Sequence, residues 1–202
     1  MCFTLATPNK ERIKKIVGEH VSIDDYTQSK KVSGFEHPNL PVMLCEKPSH
    51  VQAIRWGLVP SWATNEQAAK DIATKTLNAK AETLFQLPSF KFSAQHHRCL
   101  IFVDGFYEWQ HVETSKIKYE IGFNNELFAL AGLYDHWSDT KTYTIVTTGA
   151  QGIMKEIHNT KLRMPVALYT QEEMQSWLHN EPVNPRFDFT TNPGLYQQHT
   201  LF

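Results

Sequence analysis

The segment KIKYEIGF, residues 116–123, alternates charge and apolar bulk without a break. Ile117, Tyr119, Ile121 and Phe123 fall on one side, and Lys116, Lys118 and Glu120 on the other. Successive side chains of an extended strand point to opposite faces, so this pattern predicts a strand with one dry face and one wet face. The dry face needs an apolar neighbour to cover it, and the surrounding sequence offers several. VMLCE, VQAIRWGLV, CLIFVDGFYEWQHV, LFALAGLYDHW, TYTIVTTGA and RMPVALY all read as strands, the third broken or bulged near Asp104-Gly105. RFDFTT is a candidate for a last strand. Hairpin-length gaps after Asp104 favour antiparallel pairing. The expected fold is α+β: a curved, mostly antiparallel sheet or open barrel with flanking helices.

Helices fill the remainder. Residues 8–19 have Thr7 as a cap, Pro8 in the first turn, and Ile13, Ile16 and Val17 on a shared face. NEQAAKDIATK, AKAETLFQ and the short QGIMKEIH also read as helical. Thr170-Gln171-Glu172-Glu173 is a capping box that opens a helix running to about His179. No repeat or Gly/Ser linker divides the chain, so residues 1–202 are read as one domain.

Composition narrows the function classes. The chain is 41% hydrophobic with 12 Phe, seven Tyr and five Trp, which argues against disorder. A formal net charge of −1 excludes a strongly basic nucleic-acid binder, although a local patch remains open. Cys2, Cys45 and Cys99 are too few and too widely spaced for a disulfide framework or a C-x-x-C metal site. His96-His97-x-Cys99 has no second ligand pair, so no metal and no cofactor are expected. No run approaches the ~20 apolar residues of a spanning helix, and the start lacks a signal-peptide layout. The expected setting is a reducing cytoplasm, with no membrane partner, and the expected state is a monomer.

Chemistry concentrates in a few places. Cys2 stands directly behind the initiator Met. Chain ends are seldom core, which weakens the ordinary reading of a Cys as a small buried hydrophobe. If Met1 is removed, residue 2 carries an α-amine beside its own thiol. Their ordinary pKa values, ~7.7–8.0 and ~8.5, leave both usefully nucleophilic near neutrality. The amine can condense with an aldehyde, and the thiol can then close onto the imine carbon as a five-membered thiazolidine.

Glu108 lies between Tyr107 and Trp109 in an otherwise apolar strand. It is either a carboxylate on a solvent face or one held among aromatics with a raised pKa. His158 ends a short helix before a basic loop, where complementing the helix dipole is the default reading. Asn78 in NAKAET is a helix cap by default, or a group that positions substrate. Trp56 reads as core. Trp62, after Pro60-Ser61, reads as exposed, a platform on which an unpaired base can stack. Five Lys/Arg face two acids between Lys70 and Arg98, and Lys155, Lys161 and Arg163 surround His158 with only Glu156 against them. The default for such charge runs is a solvated face.

Taken in order, Met1-Cys2, RWGLVPSW, NAKAET, HRCLIFVDGFYEW, YTIVTTGA and IHNTKLRMPV resemble the SRAP family, the SOS response-associated peptidases or abasic-site processing proteins. The resemblance implies that Cys2, freed of Met1, cross-links to the ring-opened aldehyde of an abasic site in single-stranded DNA. It implies that Asn78 orients Cys2 and the sugar, that Glu108 accepts a proton from or pairs with the α-amine, and that His158 moves protons during ring opening and cross-link reversal. It further implies abasic-site lyase activity and self-removal of the N-terminal residue. Trp62 matches an aromatic beside the DNA, Arg163 a phosphate-binding Arg, and Lys80 stands where the family usually has Arg. Phe3 and Thr4 replace a usual Gly-Arg, and Thr4 keeps one hydrogen-bond donor without the charge. The alternatives are an N-terminal-cysteine peptidase or amidohydrolase, and a non-catalytic single-strand binder using Trp62, Lys80 and Arg163.

Overall fold

At Asp104 the chain passes from one sheet into another, so CLIFVDGFYEWQHV is two strands in different layers. The computed structural model describes residues 2–198, with side chains through residue 192. Strand β1 (Thr4–Ala6) leads into α1 (Lys10–Val17), β2 (Ser22–Ile23), β3 (Val32–Ser33), β4 (Asn39–Leu44) and β5 (His50–Trp56). Then come α2 (Glu66–Ala73), β6 (Asn78–Lys80), α3 (Lys91–His96), β7 (Arg98–Val103), β8 (Gly105–Val112) and β9 (Ser115–Gly122). The chain continues through β10 (Phe128–Trp137), β11 (Thr140–Gly149), α4 (Met154–Ile157), β12 (Arg163–Pro165), β13 (Ala167–Leu168), α5 (Gln171–Leu178) and β14 (Thr190–Gln198).

Strands β11, β10, β7, β4 and β5 pair in that order, all antiparallel. The ring closes where β5 returns to β11 in parallel, Arg55 opposite Thr142 and Trp56 opposite Tyr143. The fold is therefore the expected α+β class, with a barrel that is closed rather than open. A second sheet runs β14-β9-β8-β1-β3.

The closed ring explains why CLIFV has no wet face. Cys99, Ile101 and Val103 join one core cluster, with Trp56, Phe128, Tyr134 and Tyr143. Leu100 and Phe102 point the other way, into a second cluster with Ile13, Met174 and Trp177 of the covering helices. A strand covered on both sides loses its polar alternation. Leu5, Phe106 and Ile121 of the second sheet belong to the first cluster, so the two sheets share one core.

Several local expectations change. The cap of α1 is Asn9, whose side chain accepts from Arg12 N at 2.9 Å. Thr7 instead bonds Thr27 and Ser29 across the neighbouring segment. Residues 81–88 form successive turns and not a helix. Asn78–Lys80 is drawn into β6, parallel to β11, which removes the residues that would start such a helix. The capping box at Thr170 and Glu173 forms as expected. The last strand begins at Thr190, so only the end of RFDFTT enters it.

Candidate active site

Residue 2 is core. Cys2 is 0% exposed and packs in the first cluster, so the expectation that a chain end avoids the core fails here. The reason lies in β1, which is paired on both edges, with β3 at Thr4–Ser33 and with β8 at Leu5–Phe106. A central strand carries its preceding residues inward with it. Met1 lies outside the described residues.

Two strands bring side chains to Cys2, and a helix end brings a third to one of those. Asn78 opens β6, and its Nδ2 donates to the Cys2 carbonyl oxygen at 2.9 Å. The Asn78 Oδ1 is buried and has no hydrogen-bond partner among the described residues. A buried acceptor in this state favours an incoming donor. Glu108, on β8, is 6% exposed. Of the two readings of this carboxylate, burial is the one realised. Its pKa is raised to about 7, chiefly because burial penalises the carboxylate. The Cys2 thiol is pushed up as well, first by burial and then by the Glu108 charge.

His158 caps the end of α4 and is buried. Its Nδ1 lies 2.7 Å from the Arg163 carbonyl oxygen, which only accepts, so Nδ1 carries the proton and donates. Nε2 is left to face Glu108 Oε2 at 3.8 Å. Burial lowers the His158 pKa below the ordinary value as it raises that of Glu108. Burial thus disfavours the charged form of both groups, the carboxylate of Glu108 and the imidazolium of His158. They line a surface hollow of about 320 Å³ with Trp109, His111, Lys116 and Thr160. Glu108 and His158 therefore open to solvent through this hollow, while Cys2 and the Asn78 amide lie behind them in the core.

The sequence profile of the family described as SOS response associated peptidase (SRAP) matches residues 1–193. The chain belongs to the SRAP family. Among its relatives, the abasic site processing protein YoqW of Bacillus subtilis is 40% identical over 141 residues, 66% of this chain and 59% of that protein. The abasic site processing protein HMCES of Xenopus tropicalis is 32% identical over 151 residues, 62% of this chain and 44% of that protein. The match thus spans about half of the length of these curated relatives. A crystal structure of a Bacteroides thetaiotaomicron protein superposes with a TM-score of 0.81 at 34% identity, covering 90% of this chain and 83% of the other.

The other residues singled out in this SRAP chain are scattered around that centre. Trp62 is 54% exposed, its Nε1 3.4 Å from the Pro88 carbonyl oxygen. Lys80 is exposed at the end of β6. Arg163 is held in a bidentate pair with Glu82, at 2.6 and 2.9 Å, and also donates to the Thr147 carbonyl oxygen. Thr4 is buried inside β1 and does not reach the surface. Phe3 packs against the first core cluster and lies 4.8 Å, centroid to centroid, from exposed Phe35. Sequence reasoning passed over Asn159, whose side chain both donates to and accepts from the His111 backbone, at 2.8 and 3.1 Å. Its one signal was position, directly after His158 in a loop lengthened by Lys161. Among the described residues no cluster of His, Cys, Asp or Glu is arranged to hold a metal, and no helix is long and apolar enough to cross a membrane.

Proposed function

We propose that residues 1–202 act as one abasic-site processing unit that captures the aldehyde of an abasic site in single-stranded DNA through Cys2. The placement of Asn78 on the Cys2 carbonyl, and of Glu108 between the Cys2 thiol on which its charge acts and His158, carries this reading, and the names of the SRAP relatives support it. Removal of Met1 places the α-amine on Cys2. The amine attacks the aldehyde and water leaves, giving the imine. The thiol then adds to the imine carbon, forming the S–C bond, and its proton ends on nitrogen. A thiol kept protonated by burial needs a local base to pass that proton, and Glu108, balanced near pH 7, is suited to it. His158 Nε2 takes the hydroxyl proton as the sugar ring opens and returns it when the cross-link reverses. Asn78 Oδ1 accepts from the sugar. Trp62 stacks a flanking base, and Lys80 and Arg163 hold phosphates.

The same imine makes β-elimination accessible, so abasic-site lyase activity belongs to this proposal, as does self-removal of Met1. The His158→Ala variant tests the proton-transfer role. It is expected to slow adduct formation or release at saturating DNA, with DNA affinity little changed. Wild-type kinetics in that variant contradict the role. Turnover of an amide substrate without DNA marks the peptidase alternative, and binding indifferent to the abasic site marks the non-catalytic one.

A further inference from the structure

The mouth of the hollow over Glu108 and His158 carries a cation and polar groups that the capture chemistry leaves unused. His111 and Lys116 are directly opposed across the β8–β9 hairpin, so their side chains emerge side by side on one face. Both line the hollow, as does Thr160 from the loop after α4. Lys116 is exposed, and its ammonium makes no ion pair among the described residues. Lys161 stands close enough for its charge to act on His158. The hairpin and the loop are fixed to each other. Asn159, between His158 and Thr160, stitches the loop to the His111 backbone with two hydrogen bonds. The loop is closed on itself by Leu162 N donating to the His158 carbonyl oxygen at 2.9 Å. A point cation, an imidazole and a hydroxyl on a rigid rim form a cradle for a tetrahedral dianionic or monoanionic oxygen group.

We propose that Lys116, His111 and Thr160 form a phosphodiester subsite that holds one backbone phosphate of the strand whose lesion reaches Cys2. This rests on the capture reading above. Binding of the phosphate at the lip fixes the register of the sugar over the Glu108–His158 pair below it. Lys161 adds to the attraction without touching the ligand.

The test uses a single-stranded oligonucleotide with a tetrahydrofuran abasic analogue, which has no aldehyde and reports binding alone. For Lys116→Ala the plot of log affinity against log salt is expected to be shallower than wild type by about 0.7, the contribution of one single-strand phosphate contact. Lys116→Arg is expected to restore the slope. Replacing flanking phosphates one at a time by neutral methylphosphonate should reveal one linkage at which wild type and Lys116→Ala bind equally. With a true abasic strand at saturation, Lys116→Ala should also form adduct more slowly than wild type, because the sugar is no longer held in register, and Lys116→Arg should recover the rate. An unchanged salt slope in Lys116→Ala, or no linkage that equalises the two proteins, overturns the subsite. A changed slope with no adduct from wild type keeps the subsite and overturns the capture reading instead.

Discussion

At the scale of single residues, the site is built from groups placed where their charge is disfavoured. Glu108 illustrates the cost. Burial raises its pKa from 4.5 to about 7. A carboxyl whose folded pKa lies above its unfolded one contributes stability that is complete below the unfolded value and is lost as pH rises through the folded value. Wild type should therefore lose stability between about pH 4.5 and 7, by up to about 3 kcal/mol from this group. Glu108→Gln removes the titration and keeps the shape. Denaturant unfolding at pH 5 and pH 8 should show it gaining on wild type at the higher pH, and adduct formation should slow with the pH inflection near 7 removed. A stability difference that does not change with pH contradicts the assigned burial of charge. Under the proposed capture, that loss of fold stability is the cost of a carboxyl able to accept a proton near pH 7.

At the scale of elements, closure of the barrel depends on close strand approach. Gly132, in the middle of β10, sits between β7 and β11, and a Cβ there would meet Ile101 Cδ1 at 2.4 Å and the Thr144 carbonyl oxygen at 2.8 Å. Gly149, near the end of β11, has nothing within 4 Å of the same position. Gly132→Ala should destabilise by about 1–3 kcal/mol, and Gly149→Ala should be near neutral, measured by chemical unfolding. Equal effects contradict this packing. Elements are also where the sequence was most legible. Alternation in KIKYEIGF, the unbroken CLIFV run and the capping box at Thr170 are local properties, and each formed the element expected. The failures are those of long-range pairing. NAKAET became strand and turns because β11 took up Asn78–Lys80, and Cys2 became core because β3 and β8 both flank β1. The stitch by Asn159 and the pair of Arg163 with Glu82 join segments 48 and 81 residues apart, which no local pattern records.

At the scale of the whole molecule, a formal net charge of −1 means that the proposed DNA binding rests on local charge placement. Arg163 is already occupied by Glu82, whose pKa is lowered chiefly by that hydrogen bond. Glu82→Gln frees the guanidinium and should strengthen single-strand binding and steepen its salt dependence by about 0.7 in slope, read by anisotropy titration. Weaker binding in that variant contradicts the phosphate role of Arg163. The covalent step itself is read by intact mass under denaturing conditions. Wild-type protein mixed with abasic single-stranded DNA should give a species lacking Met1 whose mass is protein plus oligonucleotide less one water, and Cys2→Ala, still folded, should give none. An adduct that persists in Cys2→Ala, or its absence in wild type from which Met1 has been removed, contradicts capture by Cys2.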